Sequence, residues 1–215
     1  LERAGTVVCI EIDARLADAL PQTVAEFMHE EAQRLFVIND DAMNVVDMPQ
    51  VPTRLIANLP YNVSVPVVLH LLAAFPTIAE VLVMVQAEVA DRLAASPGSR
   101  TYGVPSVKAR WYGDVARAGN VPRSIFWPVP NVDSGLVRIT RAHVPGDEAL
   151  RSEVFALVDA AFGQRRKALR SALGSALGDR VDAVLDRAGI DRLARGEQLS
   201  VADFVVLATA ARQVQ

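Results

Sequence analysis

The feature that most constrains this chain's fold is a change of rhythm at His143-Val144-Pro145-Gly146-Asp147. Before that joint, short β-branched runs alternate with helical periods. Val7 to Ile12, Phe36-Val37-Ile38, Arg54 to Ala57 and Val81 to Val85 read as buried strands. Leu16 to Leu35, Val65 to Phe75 and Glu88 to Ala95 read as helices between and after them. Such alternation implies a mostly parallel sheet with crossover helices. Val104 to Tyr112 and Gly135 to Thr140 read as late, partly antiparallel strands. After the joint, Glu148 to Phe162, Gln164 to Leu177, Val181 to Arg187 and Val201 to Arg212 all carry helical periods. The expected architecture is an α/β domain over residues 1–143 and a small all-helical domain over 147–215.

The sequence has 215 residues, 51% of them apolar and 22% charged, which suits a folded globular chain. Its one cysteine, Cys9, lies in an apolar stretch and reads as a core residue. A disulfide framework and a cysteine metal site are excluded, and a reducing, cytoplasmic setting is expected. No apolar run approaches the ~20 residues of a membrane span. His29, His70 and His143 have no ligand spacing, so no metal is expected.

Net charge is −3, but unevenly placed. Residues 1–50 hold 3 basic and 10 acidic residues, whereas residues 100–145 hold 7 and 2. A basic middle with interleaved aromatics can leave one cationic face on a mildly acidic protein, as nucleic-acid binding requires.

Three strand ends carry a common theme. Glu11 closes the first strand of this sequence; in doubly wound folds an acidic residue at the end of the second strand binds the ribose hydroxyls of a nucleotide cofactor, so the sequence reads as entering the domain one strand and one Gly-rich loop late. Asp40 and Asp41 follow the second, where a carboxylate can accept from an adenine amine, and Ala42 leaves room for a ring. Asn58-Leu59-Pro60-Tyr61 ends the third. Its Asn amide oxygen and nearby carbonyls are acceptors, Pro60 stiffens the turn, and Tyr61 offers a flat face. That set suits a planar ring with an exocyclic amine, such as a target adenine. Further on, Phe126-Trp127-Pro128-Val129-Pro130-Asn131-Val132-Asp133-Ser134 is a proline-punctuated loop able to close over a flipped base, with Phe126 stacking opposite Tyr61. Gln164-Arg165-Arg166-Lys167, with Arg170, reads as a basic run in a helix suited to phosphate contacts.

Taken in order, Asn58-Leu59-Pro60-Tyr61-Asn62-Val63-Ser64, Val85 to Arg92, Pro97-Gly98-Ser99-Arg100-Thr101-Tyr102-Gly103, the Phe126 proline loop and Ala161-Phe162 with Gln164 to Lys167 resemble the KsgA-type ribosomal RNA adenine N6-dimethyltransferases. The resemblance spans nearly the whole chain. It implies a Rossmann-like methyltransferase domain, S-adenosylmethionine as cofactor, and a C-terminal helical domain that helps bind RNA. The implied substrate is two adjacent adenosines in a 3′-terminal hairpin of small-subunit (16S) rRNA, methylated during ribosome biogenesis. By resemblance, Glu11 holds the cofactor ribose, Ile12 packs on its adenine, and Asp41, beside Ala42, binds the adenine amine. Asn58 and the Leu59–Pro60 backbone bind the target amine, and Tyr61 and Phe126 sandwich the base. Arg165, Arg166, Lys167 and Arg170, with Arg123 near the loop, contact RNA. A monomer acting on the pre-30S particle, away from membranes, is the expected partner state.

One departure stands out. The family's Gly-rich cofactor loop, and the basic segment before it, have no counterpart here. If the chain is complete as given, weak or no cofactor binding and an inactive chain are expected; if it is part of a longer protein, the favoured reading, the full enzyme is expected to be active. Two alternatives carry the same fold: an erythromycin-resistance-type large-subunit rRNA methyltransferase, and a non-catalytic ribosome-assembly factor. The Pro97 to Gly103 loop and the Gln164 to Lys167 run favour the small-subunit type.

Overall fold

The computed structural model describes residues 1–214, which divide into two compact units, Leu1–Glu80 and Val81–Gln215. In the first, β1 (Val7–Glu11) pairs in parallel with β2 (Leu35–Asn39), Val7 opposite Leu35 and Glu11 opposite Asn39. The connection is α1 (Ala14–Phe27), capped by Asp13, whose carboxylate accepts the Arg15 N–H at 2.9 Å. The sequence pattern extends this helix to Leu35, but it stops eight residues earlier and a 3₁₀ turn at Ala32–Arg34 follows. Glu26, Glu30 and Glu31 crowd the negative end of the helix dipole, which disfavours continuation.

A loop then leads to β3 (Arg54–Asn58) and α2 (Ser64–Ala74). The loop is fastened by His70 Nε2 to the Val45 carbonyl at 2.9 Å and by the Thr77 hydroxyl to the Pro52 carbonyl at 2.7 Å. Among the described residues β3 is hydrogen-bonded to neither β1 nor β2, so the parallel sheet these two form has two strands. Cys9 is half-buried rather than core, and burial pushes its thiol pKa up.

The second unit takes up β4 (Glu80–Gln86), in which Val81, Val83 and Val85 alternate inward and are buried. Next come α3 (Ala87–Ala94), α4 (Val104–Arg110), β5 (Gly113–Val121) and β6 (Ser134–Arg141). Strands β4, β6 and β5 lie side by side in that order, with β5 and β6 antiparallel and a bulge between Arg117 and Gly119. The pattern around Val104 to Tyr112 suggests a strand, and this is corrected: the segment is helix α4. Pro105 sits in its first turn, where its missing N–H costs nothing, and the Ser106 hydroxyl accepts the Gly103 N–H at 3.0 Å. Val104, Val107 and Trp111 then fall on one helical face. The antiparallel partner of β6 is the next segment, β5, whose Gly119 and alternating charges obscure it in the sequence.

From β6 onward every described element is helical: α5 (Glu148–Gly163), α6 (Leu169–Ala172), α7 (Gly174–Leu177), α8 (Val181–Ala188) and α9 (Val201–Gln213). Helix α9 packs against α5 and α8 around buried Phe204, Val154, Val158 and Leu185. Both long helices are capped by side chains, α5 by Asp147 to the Leu150 N–H (2.8 Å) and α9 by a Ser200–Asp203 capping box. No described helix is long and apolar enough to cross a membrane.

Candidate functional site

The parallel register of β1 and β2 sets Glu11 and Asn39 side by side at the C-terminal ends of their strands. Asn39 Nδ2 donates to the Glu11 carbonyl (2.8 Å) and the Ile12 carbonyl (3.3 Å), tying the two ends together. Glu11 Oε1 accepts the Asp13 N–H at 2.9 Å, which orients the carboxylate. Ile12 is 69% exposed, an apolar surface beside two carboxylates. Beyond β2, Asp41 Oδ1 accepts the Met43 N–H (2.9 Å), and Asp40 Oδ1 accepts the Asp41 N–H (2.7 Å), forming a compact Asx turn next to half-buried Ala42. Asp13, bridged to Arg15 by hydrogen bonds, is held below the usual carboxylate range.

This cluster has the donor set an adenosine group needs. A carboxylate fixed through one oxygen can accept a ribose diol on the other, and an exposed aliphatic face can carry a purine. Glu11, Ile12, Asp41 and Ala42 are thus brought to one strand-end region. Asn58 to Tyr61 are not in that ladder, because β3 belongs to neither strand's sheet.

At the end of β3, Asn58 is exposed, and its carboxamide makes no hydrogen bond within the described residues. The turn after it is built by Val63 N–H to the Pro60 carbonyl (3.3 Å) and Ser64 hydroxyl to the Tyr61 carbonyl (3.4 Å). Tyr61 is 40% exposed.

In the second unit, the proline loop between β5 and β6 is pinned at its base. Asp133 Oδ1 accepts the Arg123 N–H at 3.0 Å, the Asp133 carbonyl accepts the Ala87 N–H at 2.9 Å, and Arg123 Nη1 reaches the Asn131 carbonyl at 3.4 Å. Arg123 therefore braces this loop as well as carrying charge. Phe126 is half-buried, whereas Trp127 is exposed.

The run Gln164 to Lys167 is not helical, a second correction. Helix α5 ends at Gly163, and the run is a turn closed by the Lys167 N–H to the Gln164 carbonyl (2.8 Å). The first-turn amides of α6 find acceptors outside the helix, Leu169 N–H donating to the Ala194 carbonyl (2.8 Å) and Arg170 N–H to the Arg192 carbonyl (3.2 Å). The turn borders an open cavity of about 600 Å³ lined by Phe162 to Lys167. Its cations are not equivalent. Arg165 Nε is paired with Glu197 at 3.0 Å and Nη2 donates to the Arg100 carbonyl at 2.6 Å. Arg170 is paired with Asp182 at 2.8 Å. Arg166 and Lys167 are exposed and have no ion-pair partner among the described residues.

The loop Pro97 to Gly103 has a structural role that spacing alone does not reveal. Gly98, at φ +81, donates its N–H to the Glu197 carbonyl (2.7 Å). The buried Tyr102 hydroxyl donates to the Leu199 carbonyl (2.9 Å), and its ring meets Phe162 edge-on at 6.1 Å. This loop therefore clamps the segment between α8 and α9 and the base of the basic turn. Sequence reasoning also missed Arg117, which pairs with Asp91 at 3.2 Å and hydrogen-bonds Asn120, packed where a side chain at Gly135 would stand.

A family model described as ribosomal RNA adenine dimethylase matches residues 1–213. Ribosomal RNA small subunit methyltransferase A of Leifsonia xyli subsp. xyli (strain CTCB07) is 57% identical over 211 residues, covering 97% of this chain and 75% of that protein. The protein of the same name from Corynebacterium diphtheriae is 54% identical over 223 residues, covering 99% and 76%. Among solved structures, a dimethyladenosine transferase from Plasmodium falciparum shares the fold at TM-score 0.73 and 22% identity, over 94% of this chain and 80% of that one. The 23S rRNA methyltransferase ErmE superposes at TM-score 0.68 with 25% identity, over 99% and 84%. The α/β methyltransferase architecture expected from the sequence is thereby borne out, and the chain belongs to the ribosomal RNA adenine dimethylase family.

Proposed function

We propose that this chain transfers methyl groups from S-adenosylmethionine to the N6 amines of two adjacent adenosines in the 3′-terminal hairpin of small-subunit (16S) rRNA. Family membership supports the reaction class, and the name shared by the relatives supports the small subunit. The observation that carries the reading is the Asn58 carboxamide: exposed at a strand's end, unpartnered among the described residues, and followed by a proline turn and a half-exposed tyrosine.

Glu11, Ile12, Asp41 and Ala42 hold the adenosine part of the cofactor, which when bound supplies an electrophilic sulfonium methyl. The chain's task is to make a poor nucleophile competent. An adenine amine delocalises its lone pair into the ring. Asn58 Oδ1 and the Leu59–Pro60 backbone, accepting its hydrogens, favour a tetrahedral nitrogen whose lone pair is directed away from the ring. Tyr61 offers its ring face to the base, and Phe126 is the second aromatic face assigned to it. Positioning and fixed dipoles carry the rate. Residues 147–215 form the RNA-binding helical part, with Arg166 and Lys167 as its phosphate contacts and Arg165, Arg170 and Arg123 contributing field and bracing. The protein works as a cytoplasmic monomer on the pre-30S particle.

Incubation with labelled methyl donor and isolated ribosomal RNAs tests this. The expected product is N6,N6-dimethyladenosine in small-subunit RNA alone. Label in large-subunit RNA would assign the chain to the erythromycin-resistance type, and RNA binding without transfer, with no heat from S-adenosylmethionine either for this chain or for a full-length protein carrying the Gly-rich loop, would leave an assembly factor.

A further inference from the structure

Trp127 stands 95% exposed in the β5–β6 loop, with Ile125, Val129 and Val132 exposed around it. The chain's other tryptophan, Trp111, is 2% exposed and packs edge-on against Phe155. Four exposed apolar side chains within eight residues, one of them a bare indole, mark an interaction site. The loop that carries it is not slack, being fastened by the Asp133, Arg123 and Asn131 bonds and stiffened by Pro122, Pro128 and Pro130.

The charge around the loop selects the class of partner. Arg123 at the base of the loop and Arg138 in β6 are exposed cations, whereas Arg117 is already paired with Asp91, and the loop's one acid, Asp133, is engaged by the Arg123 N–H. Cations beside an exposed aromatic are the combination that binds unpaired RNA, the rings stacking bases and the arginines following the backbone.

We propose that Trp127 is a second stacking platform, which takes an unpaired base of the RNA neighbouring the one that reacts. The proposal rests on ribosomal RNA being the substrate. The test is a fluorescence titration of the full chain, its Trp127→Phe and its Trp127→Ala forms with two RNAs: a hairpin with unpaired loop purines, and a continuous duplex of the same stem. The hairpin should quench wild-type emission and shield it from acrylamide, and Trp127→Phe, left with buried Trp111, should lose that signal. Trp127→Ala should weaken hairpin binding roughly ten-fold or more while Trp127→Phe stays within about three-fold, because stacking needs only a π-face. Duplex affinity should be the same for all three. Equal hairpin binding by wild type and Trp127→Ala would overturn the stacking role alone. Shielding by an assembled small subunit but not by naked hairpin would assign the loop to a protein surface and overturn it too. A wild-type chain that binds neither RNA would overturn both this proposal and the substrate reading beneath it.

Discussion

Tyr102 donates its phenolic hydrogen to the carbonyl of Leu199 across 97 residues of sequence, at 2.9 Å and out of contact with solvent. Burial pushes its pKa up from 10.0 to about 12. Below pH 10.0 the phenol is protonated both folded and unfolded, so its stabilisation is complete. As pH rises toward about 12 the unfolded chain ionises first, and the contribution is lost. Tyr102→Phe leaves the Leu199 carbonyl unpaired and is expected to cost about 1–3 kcal/mol near neutrality. Thermal midpoints measured from neutral to strongly alkaline pH check both points, since the variant should lose Tyr102's share of the alkaline decline.

Arg165 and its neighbours should separate in a salt series. Arg166→Ala and Lys167→Ala each remove an unpaired exposed cation, so each should lower RNA affinity and reduce the slope of log K against log salt by about 1. Arg165→Ala breaks the Glu197 pair and the bond to the Arg100 carbonyl, so its first effect should be a lower unfolding midpoint. Equal slopes for all three variants and wild type would make the turn a solvated surface.

Gly135→Ala should destabilise through Arg117. A Cβ there would lie 1.6 Å from Arg117 Nη1, so the guanidinium must abandon Asp91 and Asn120. Overpacking of this kind costs about 1–3 kcal/mol. Combining it with Arg117→Ala should recover part of the loss, and denaturant midpoints of the single and double variants show whether the two residues are coupled.

Much of this was legible in the sequence where local and global signals agree. The β-branched runs of β1, β2 and β4 and the long periods of α5 and α9 announce themselves, because burial of alternate or helical faces fixes both pattern and structure. Val104 to Tyr112 misled because apolar residues at spacings of three and four also look like an interrupted strand, and only Pro105 and Ser106 tip the segment to helix. The Gln164 to Lys167 turn is hidden for a different reason: Arg165 within it is held by Glu197 and the Arg100 carbonyl, both distant in sequence. The strand-end residues Glu11, Asp41 and Asn58 could be nominated from position alone. The aromatics of the Phe126 proline loop read as exposed from the sequence, which holds for Trp127, whereas Phe126 is half-buried.

Glu11→Ala should weaken binding of S-adenosylmethionine, measured by calorimetry, with RNA affinity unchanged. Glu11 meets the rest of the chain through its backbone ladder and the Asp13 N–H, so folding should be little affected. Unchanged heat would remove Glu11 from the cofactor site.

The central claim is that Asn58 presents the target amine, and the most direct measurement is methyl transfer by Asn58→Ala to isolated small-subunit RNA, with RNA affinity and thermal stability recorded alongside. Because the side chain is exposed and unpartnered within the described residues, stability should change by less than about 0.5 kcal/mol. The account predicts undetectable dimethyladenosine with RNA binding nearly intact. Turnover comparable to wild type would contradict it.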